Sequence, residues 1–210
     1  VKSKYYKVEP IVWRVLTDSY DHDGKPDTTG KKLLLSEKIL INNYYDRGSN
    51  SYANSSIRLF LIGEFFSNAF TEEDQNVIAT TSVVNNARST NPDSNATQWD
   101  SGNNRYTSDI PTKDKIFLLS EQEVTKADYG FAAYNAFGIG NTRIRFVTAF
   151  ANASGTSLSN TSGYGGFWFL RSPSHVAPND ARFVDEDGDA SKYVYVYRDF
   201  AGVVPALCLN

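Results

Sequence analysis

Gly163-Tyr-Gly-Gly-Phe-Trp-Phe-Leu170, an Asp/Gly-rich turn, Tyr193-Val-Tyr-Val-Tyr197 and Gly202-Val-Val-Pro-Ala-Leu207 form the stretch that decides the fold. Apolar runs of strand length alternate with glycine-rich or acidic turns, so the chain closes on a succession of short strands. The last of these, Val203 to Leu209, needs a hydrogen-bonding partner, and so does the first apolar run, Ile11-Val-Trp-Arg-Val-Leu16. This predicts an α+β fold, a single domain over residues 1–210, with both ends of the chain in strands of one shared sheet. Period-two alternation puts Ile11, Trp13 and Val15 on one side of the first strand.

Working back through the chain, Asp18 to Gly30 is rich in Asp, Gly, Pro and Thr and reads as a hairpin loop. Lys31-Lys-Leu-Leu-Leu-Ser36 returns as its partner strand, apolar enough for burial on both faces. Lys115-Ile-Phe-Leu-Leu119 reads the same way. Ser55 and Ser56 are N-cap candidates for a helix near 56–66 carrying Ile57, Phe60, Leu61 and Glu64 at helical spacing. Thr71-Glu-Glu-Asp74 is a capping box with Asp in place of Glu or Gln, and Ser120-Glu-Gln-Glu123 is a regular one. Arg143 to Ala151 is expected as a short helix with Ile144, Val147 and Ala151 on one side. The polar stretch from Asn85 to Pro111 lacks the aliphatics to build a core and reads as a long surface excursion. No internal repeat is present, which excludes solenoids and propellers.

The 210 residues are enough to bury a sizeable core without staples. Hydrophobic residues make up 40%, with 13 Tyr and 13 Phe, too much apolar material for a disordered chain. No long uncharged apolar run exists, so no transmembrane helix is expected. The net charge of -3 argues against a nucleic-acid-binding surface. No signal peptide is read at Val1, which suits a cytoplasmic protein or one trimmed of its export sequence.

Catalytic signals are sparse. His22 and His175 are the two imidazoles and Cys208 the one thiol. Cys208 stands between Leu207 and Leu209, where an inert buried thiol is the expected state. Asp21-His-Asp-Gly-Lys-Pro-Asp27 and Asp185-Glu-Asp-Gly-Asp189 alternate carboxylates as calcium loops do. Neither has the EF-hand register of ligands at positions 1, 3, 5 and 12 with glycine at 6, and both suit tight turns. No metal and no cofactor is therefore predicted. Gly138-Ile-Gly-Asn-Thr-Arg143 lacks the ending of a phosphate loop. The unusual feature is the tyrosine face of residues 193, 195 and 197. It reads either as an ordinary half-exposed strand, because Tyr favours strands, or as a binding surface, because Tyr offers large rigid contact area at low entropic cost.

Several blocks carry a family resemblance: Tyr6-Lys-Val-Glu-Pro-Ile-Val-Trp-Arg-Val-Leu16, Lys32-Leu-Leu-Leu-Ser-Glu-Lys-Ile-Leu40, Tyr52-Ala-Asn-Ser-Ser-Ile-Arg58, Ala69-Phe-Thr71, Lys115-Ile-Phe-Leu-Leu-Ser120, Gly166-Phe-Trp-Phe-Leu-Arg-Ser-Pro173 and Gly202-Val-Val-Pro-Ala-Leu207. In this order the chain resembles the variable proteins of diversity-generating retroelements, of the treponemal type. The resemblance implies a C-type lectin-like fold of the formylglycine-generating-enzyme type, with mixed short sheets and a few helices. It also implies that a reverse transcriptase, erring at template adenines, rewrites the 3′ end of the gene. The enzymatic relatives use paired cysteines and this chain has one, so scaffold and binding role carry over, and the oxidase chemistry does not.

The resemblance places a candidate variable region at 174–201. Ala181, Arg182, Val184, Asp185, Gly188 and Val196 look like scaffold. Ser174, His175, Val176, Asn179, Phe183, Asp187, Asp189, Ser191, Tyr193, Tyr195, Tyr197, Arg198, Asp199 and Phe200 belong to the residue set that adenine errors permit, whereas Glu186 and Lys192 do not. The fourteen are the expected ligand-binding residues, and ten of them, Ser174, His175, Val176, Asn179, Phe183, Tyr193, Tyr195, Tyr197, Arg198 and Phe200, are expected to converge on one solvent-exposed face. The implied protein is a non-enzymatic, monomeric binder at the cell surface or outer membrane, exported and with any lipid anchor upstream of Val1. Its partner would be a protein or glycan on another cell or host. An invariant lectin-like adhesin is the alternative, and an enzyme of the formylglycine-generating kind is less favoured.

Overall fold

The computed structural model describes residues 5–7, 9–20, 30–86, 110–174 and 177–210. His22, the acidic stretch Asp21 to Asp27, most of the excursion between Asn85 and Pro111, and both His175 and Val176 lie outside them. In chain order, strands β1 (Trp13–Thr17), β2 (Lys32–Ser36), β3 (Lys38–Ile39) and β4 (Ile41–Asn42) precede helices α1 (Ser56–Phe60), α2 (Phe66–Ala69) and α3 (Glu72–Val77). Strands β5 (Thr81–Val83), β6 (Thr112–Asp114), β7 (Ile116–Phe117) and β8 (Phe146–Val147) follow, then helix α4 (Ala149–Ala153). Strands β9 (Trp168–Pro173), β10 (Asp180–Val184), β11 (Lys192–Tyr195), β12 (Gly202–Val203) and β13 (Ala206–Leu209) close the chain. The architecture is mixed α+β, mostly short sheets with few helices.

The apolar run in β2 buries Leu33, Leu34, Leu35 and Ser36 in succession. That pattern requires cover on both faces and a strand on each edge. Both edges are filled: one sheet runs β1-β2-β13-β7, so the first and last strands flank β2. Trp13 pairs with Ser36 and Leu207 with Leu34. Leu207 is buried and Trp13 packs against the same core, stacked on Phe70 at 6.1 Å. The expectation that both ends share a sheet is therefore met. The expected facing of β1 is not. Val15 is exposed while Leu16 is buried, because the register shifts between Val15 and Thr17 and turns Leu16 inward.

Ser55 caps the first helix, accepting from the Arg58 amide. Residues Leu61–Phe65 continue it as a π-helical segment into α2, and Ile57, Leu61 and Phe65 form its buried stripe. Arg58 reaches Asp114 in β6 with two nitrogens, at 3.0 and 2.7 Å. Thr71 and Asp74 close a full capping box despite the shorter acid. Ser120 and Glu123 also cap reciprocally, at 2.7 and 3.1 Å, but open only a 3-10 turn, Glu123–Thr125.

The helix expected over Arg143 to Ala151 is a correction. Phe146 and Val147 form β8, parallel to β3, and only Ala149–Ala153 is helical, capped by Thr148. The buried Arg143 explains the extended chain there. Its guanidinium donates to the carbonyls of Gly188 and Ala132, each at 2.6 Å, and of Ala136 at 2.5 Å. One arginine thus satisfies a whole loop of backbone acceptors that a helix would have paired internally.

The second sheet runs β11-β10-β9-β12-β4, with β12 parallel to β9 and the other pairings antiparallel. Gly202 makes the β9-β12-β4 contact fit, since a Cβ there would lie 2.2 Å from Ile39 Cγ2. Gly165 has the same role beside the hairpin turn: its amide donates to Glu186, and a Cβ would meet the Arg145 carbonyl at 2.3 Å.

Candidate functional site

Sheet order explains which of the expected residues reach solvent. β9 and β10 are interior strands and every residue in them is buried. β11 is the edge strand, and Lys192, Tyr193 and Tyr195 are exposed along it. Val194 and Val196 turn the other way: Val196 is buried and Val194 packs against the core. The three tyrosines keep 45%, 45% and 52% of their surface. Tyr195 and Tyr197 lie nearly parallel, 8° apart with centroids at 5.4 Å. The row is bordered by cations: Arg182 lies 5.7 Å from the Tyr193 centroid and Arg198 5.9 Å from that of Tyr197.

What stands under this row is rigid. Tyr45 and Asp46 amides both donate to the Val196 carbonyl, at 3.0 and 3.1 Å. The Asn50 side-chain amide ties down the chain before β10, donating to the carbonyls of Ser174, Ala177 and Asp180 at 2.9 to 3.1 Å. Asp46 would be raised by its partial burial, but the amides of Gly48, Ser56 and Ser49 hold its carboxyl below the usual range. Arg182, itself buried, lies against the Glu121 carboxylate at 3.3 Å.

Of the ten residues expected to converge, the eight that the structure describes do not share one face. Tyr193, Tyr195, Tyr197 and Arg198 form the exposed row, with Asp199 exposed beside it and its carbonyl held by Asn42. Asn179 is half-buried and its carbonyl accepts from Val196. Three placements correct the expectation. Ser174 is fully buried at the end of β9, its amide bonded to Asp180. Phe183 keeps only 6% of its surface, and Phe200 is half-buried. Their rings meet each other and Phe167 in edge and tilted contacts of 5.1 to 6.2 Å, forming a cluster on the core side of β10. Phe183 lies two residues from Ala181, whose cross-strand partner is Val194, so strand alternation puts it on their inward face.

Asp187, Asp189 and Ser191 are half-buried in the β10–β11 turn, at the far end of the hairpin from Tyr197. Their polar atoms build that turn. Asp185 accepts from the Asp187 and Asp189 amides, and Asp189 accepts from the Ser191 amide and hydroxyl. Lys192 pairs with Asp185. A hydrogen bond to Asp185 pushes the Asp187 carboxyl up to about 6, with burial and the Asp185 charge acting in the same direction. Among the described residues, no three of His, Cys, Asp and Glu are grouped to hold a metal ion, and no helix is long and apolar enough to cross a membrane.

Asp180 escaped the sequence reading. It pairs with Tyr195 across β10 and β11, as Arg182 pairs with Tyr193, so both charged side chains share the face of the tyrosine row. The alternation in Asp180-Ala-Arg-Phe-Val184 carries that signal: the charged residues lie on one face, Ala181 and Phe183 on the other.

The chain belongs to DUF6273, a family described as a domain of unknown function, whose model matches residues 29–210. Neither the curated proteins nor the solved structures gave a match.

Proposed function

We propose that this member of the DUF6273 family is a ligand-binding protein that displays the β11 tyrosine row at the cell surface or outer membrane. In this reading the scaffold is C-type lectin-like, of the formylglycine-generating-enzyme type, and a retroelement diversifies the C-terminal face. The chain acts without a cofactor, as an exported monomer, and its partner is a protein or glycan on another cell or host. The observation that carries the reading is the contrast between neighbouring strands. Tyr193 and Tyr195 on β11, and Tyr197 just beyond it, present open rings, while the neighbouring β10 and β9 are buried throughout. Such a layout lets the outer residues change at little cost to folding, because surface substitutions typically cost within about 0.5 kcal/mol. Aromatics with a flanking arginine are also the residues that concentrate binding energy. Mixed short sheets with few helices are what the scaffold assignment expects.

The alternative, an invariant lectin-like adhesin, rests on the same rings stacking on sugars. A formylglycine-generating enzyme is disfavoured because its paired cysteines are missing and the lone Cys208 is buried. Deep sequencing of the gene from a growing population separates the first two readings. Diversification predicts variants confined to the codons of exposed residues such as Tyr193, Tyr195, Tyr197 and Arg198, with none at Ala181, Val184 or Val196. It also predicts a near-copy of this segment beside a reverse-transcriptase gene. An invariant segment with no such copy would leave the adhesin.

A further inference from the structure

We infer that the tyrosine row takes its ligand by a cationic side chain, a lysine or arginine of a protein partner, seated at Tyr195 against the Asp180 carboxylate. The inference rests on the ligand-binding reading above and names the chemistry of that site. Asp180 and Tyr195 are direct cross-strand partners, so the carboxylate projects on the same face as the ring. The residue keeps only 6% of its surface, and no hydrogen-bond donor reaches its Oδ1. A buried carboxylate without a counter-charge is costly, and a cation at its accessible side offsets that cost.

The nearest cation on that face is already committed. Arg182 is engaged by Glu121, by the Ser191 carbonyl and by the Tyr193 ring. Arg198 lies over Tyr197. Between these two cation–aromatic pairs, and among the described residues, Tyr195 has no cation and Asp180 no counter-charge. Electron-rich ring faces and an unpaired carboxylate both attract a positive group. A neutral sugar hydroxyl would leave the carboxylate's charge uncompensated, whereas an ammonium or guanidinium offsets it. Burial holds the Asp180 carboxyl above its ordinary range, which marks the same missing charge. A ligand meets the other oxygen, Oδ2, and its positive charge offsets that of the whole carboxylate.

The test uses the 210-residue chain and three probes: the peptide acetyl-Gly-Lys-Gly-amide, its norleucine copy and maltose. Amide spectra recorded during titration should show the lysine peptide shifting residues 180 and 193–197, with the norleucine copy and maltose leaving them in place. Asp180→Asn should weaken the lysine peptide by about tenfold or more. The same variant should raise the melting temperature, because an unpaired buried charge is removed; a purely structural carboxylate would lower it. No response to the lysine peptide, equal response to norleucine or maltose, or undiminished binding by Asp180→Asn would overturn the inference. None of those results touches the sequencing test above, which judges the binding reading without reference to ligand chemistry.

Discussion

The Arg171 guanidinium lies on the Glu123 carboxylate inside the core, joining β9 to the turn that follows β7. Both groups make further hydrogen bonds. Arg171 also donates to the carbonyls of Leu118 and Val84, at 2.8 and 2.9 Å, while Glu123 accepts from the Ser120 amide and the Tyr20 hydroxyl. Burial alone would raise the Glu123 carboxyl, but the Arg171 charge and the hydrogen bonds from Arg171, the Ser120 amide and Tyr20 together outweigh it and hold the group below the usual range. Breaking such a pair from one side leaves an uncompensated buried charge, at a cost of about 3–5 kcal/mol. Arg171→Met is therefore expected to lower the urea midpoint strongly. The depressed carboxyl also fixes a pH sign: its contribution is present above the unfolded-state value and is lost as pH falls through the lower folded value. Glu123→Gln should weaken the fold at neutral pH and make acid unfolding less steep.

The tyrosine row should be thermodynamically quiet. Tyr193, Tyr195 and Tyr197 leave about half of each ring in water, and their neighbours Val194 and Val196 supply the inward contacts. Replacing all three tyrosines by serine should shift the melting temperature by only a few degrees, since exposed substitutions each cost within about 0.5 kcal/mol. Calorimetry checks this. An unfolded triple variant would mean that the row is part of the core and carries no binding face.

Local pattern made much of this molecule legible. The leucine run 33–35, the two end strands, the Ser55 and Thr71 caps and the outward tyrosines all follow from periodicity and capping chemistry. The failures share a different cause. Arg143 looks like a helix residue until its carbonyl partners, scattered over residues 132–188, are brought to it by the fold. Leu16 faces inward because of a bulge, which alternation cannot foresee. Residue type groups Phe183 with the exposed set, although its own strand alternation puts it with Ala181 on the inner face. Asp180 belongs to no motif, and an isolated Asp becomes conspicuous only through its burial and missing donor.

Phe183 gives a sharp check on that correction. With Phe167 and Phe200 it fills the core side of β10. Truncating a buried phenylalanine costs about 3–5 kcal/mol through lost contacts and the cavity left behind. Phe183→Ala should therefore destabilise far more than Tyr195→Ala. Phe200→Ala, from a half-buried position, should fall between them. Equal midpoints for all three in chemical denaturation would return Phe183 to the exposed set.

The hairpin turn offers a pH-dependent signature distinct from acid unfolding. Asp187 carries a carboxyl raised to about 6, chiefly through its hydrogen bond with Asp185, and Asp185 is held low. The pair therefore keeps one proton between its two carboxylates over a range where free aspartates have lost theirs, and the apparent value belongs to the pair. A raised folded value means that the folded state binds more protons than the unfolded one between about 4 and 6. Stability from Asp187 is thus full below the unfolded value and is lost as pH rises through about 6. Asp187→Asn retains an N–H donor for Asp185 while removing the titration, so its stability should vary less between pH 4.5 and pH 7 than that of the parent chain (about the window bounded by those two values). Carboxyl carbon shifts of Asp187 followed by NMR should report a midpoint near 6. A midpoint in the ordinary aspartate range would show that no proton is shared, and the turn would then rest on the amide contacts and Lys192 alone.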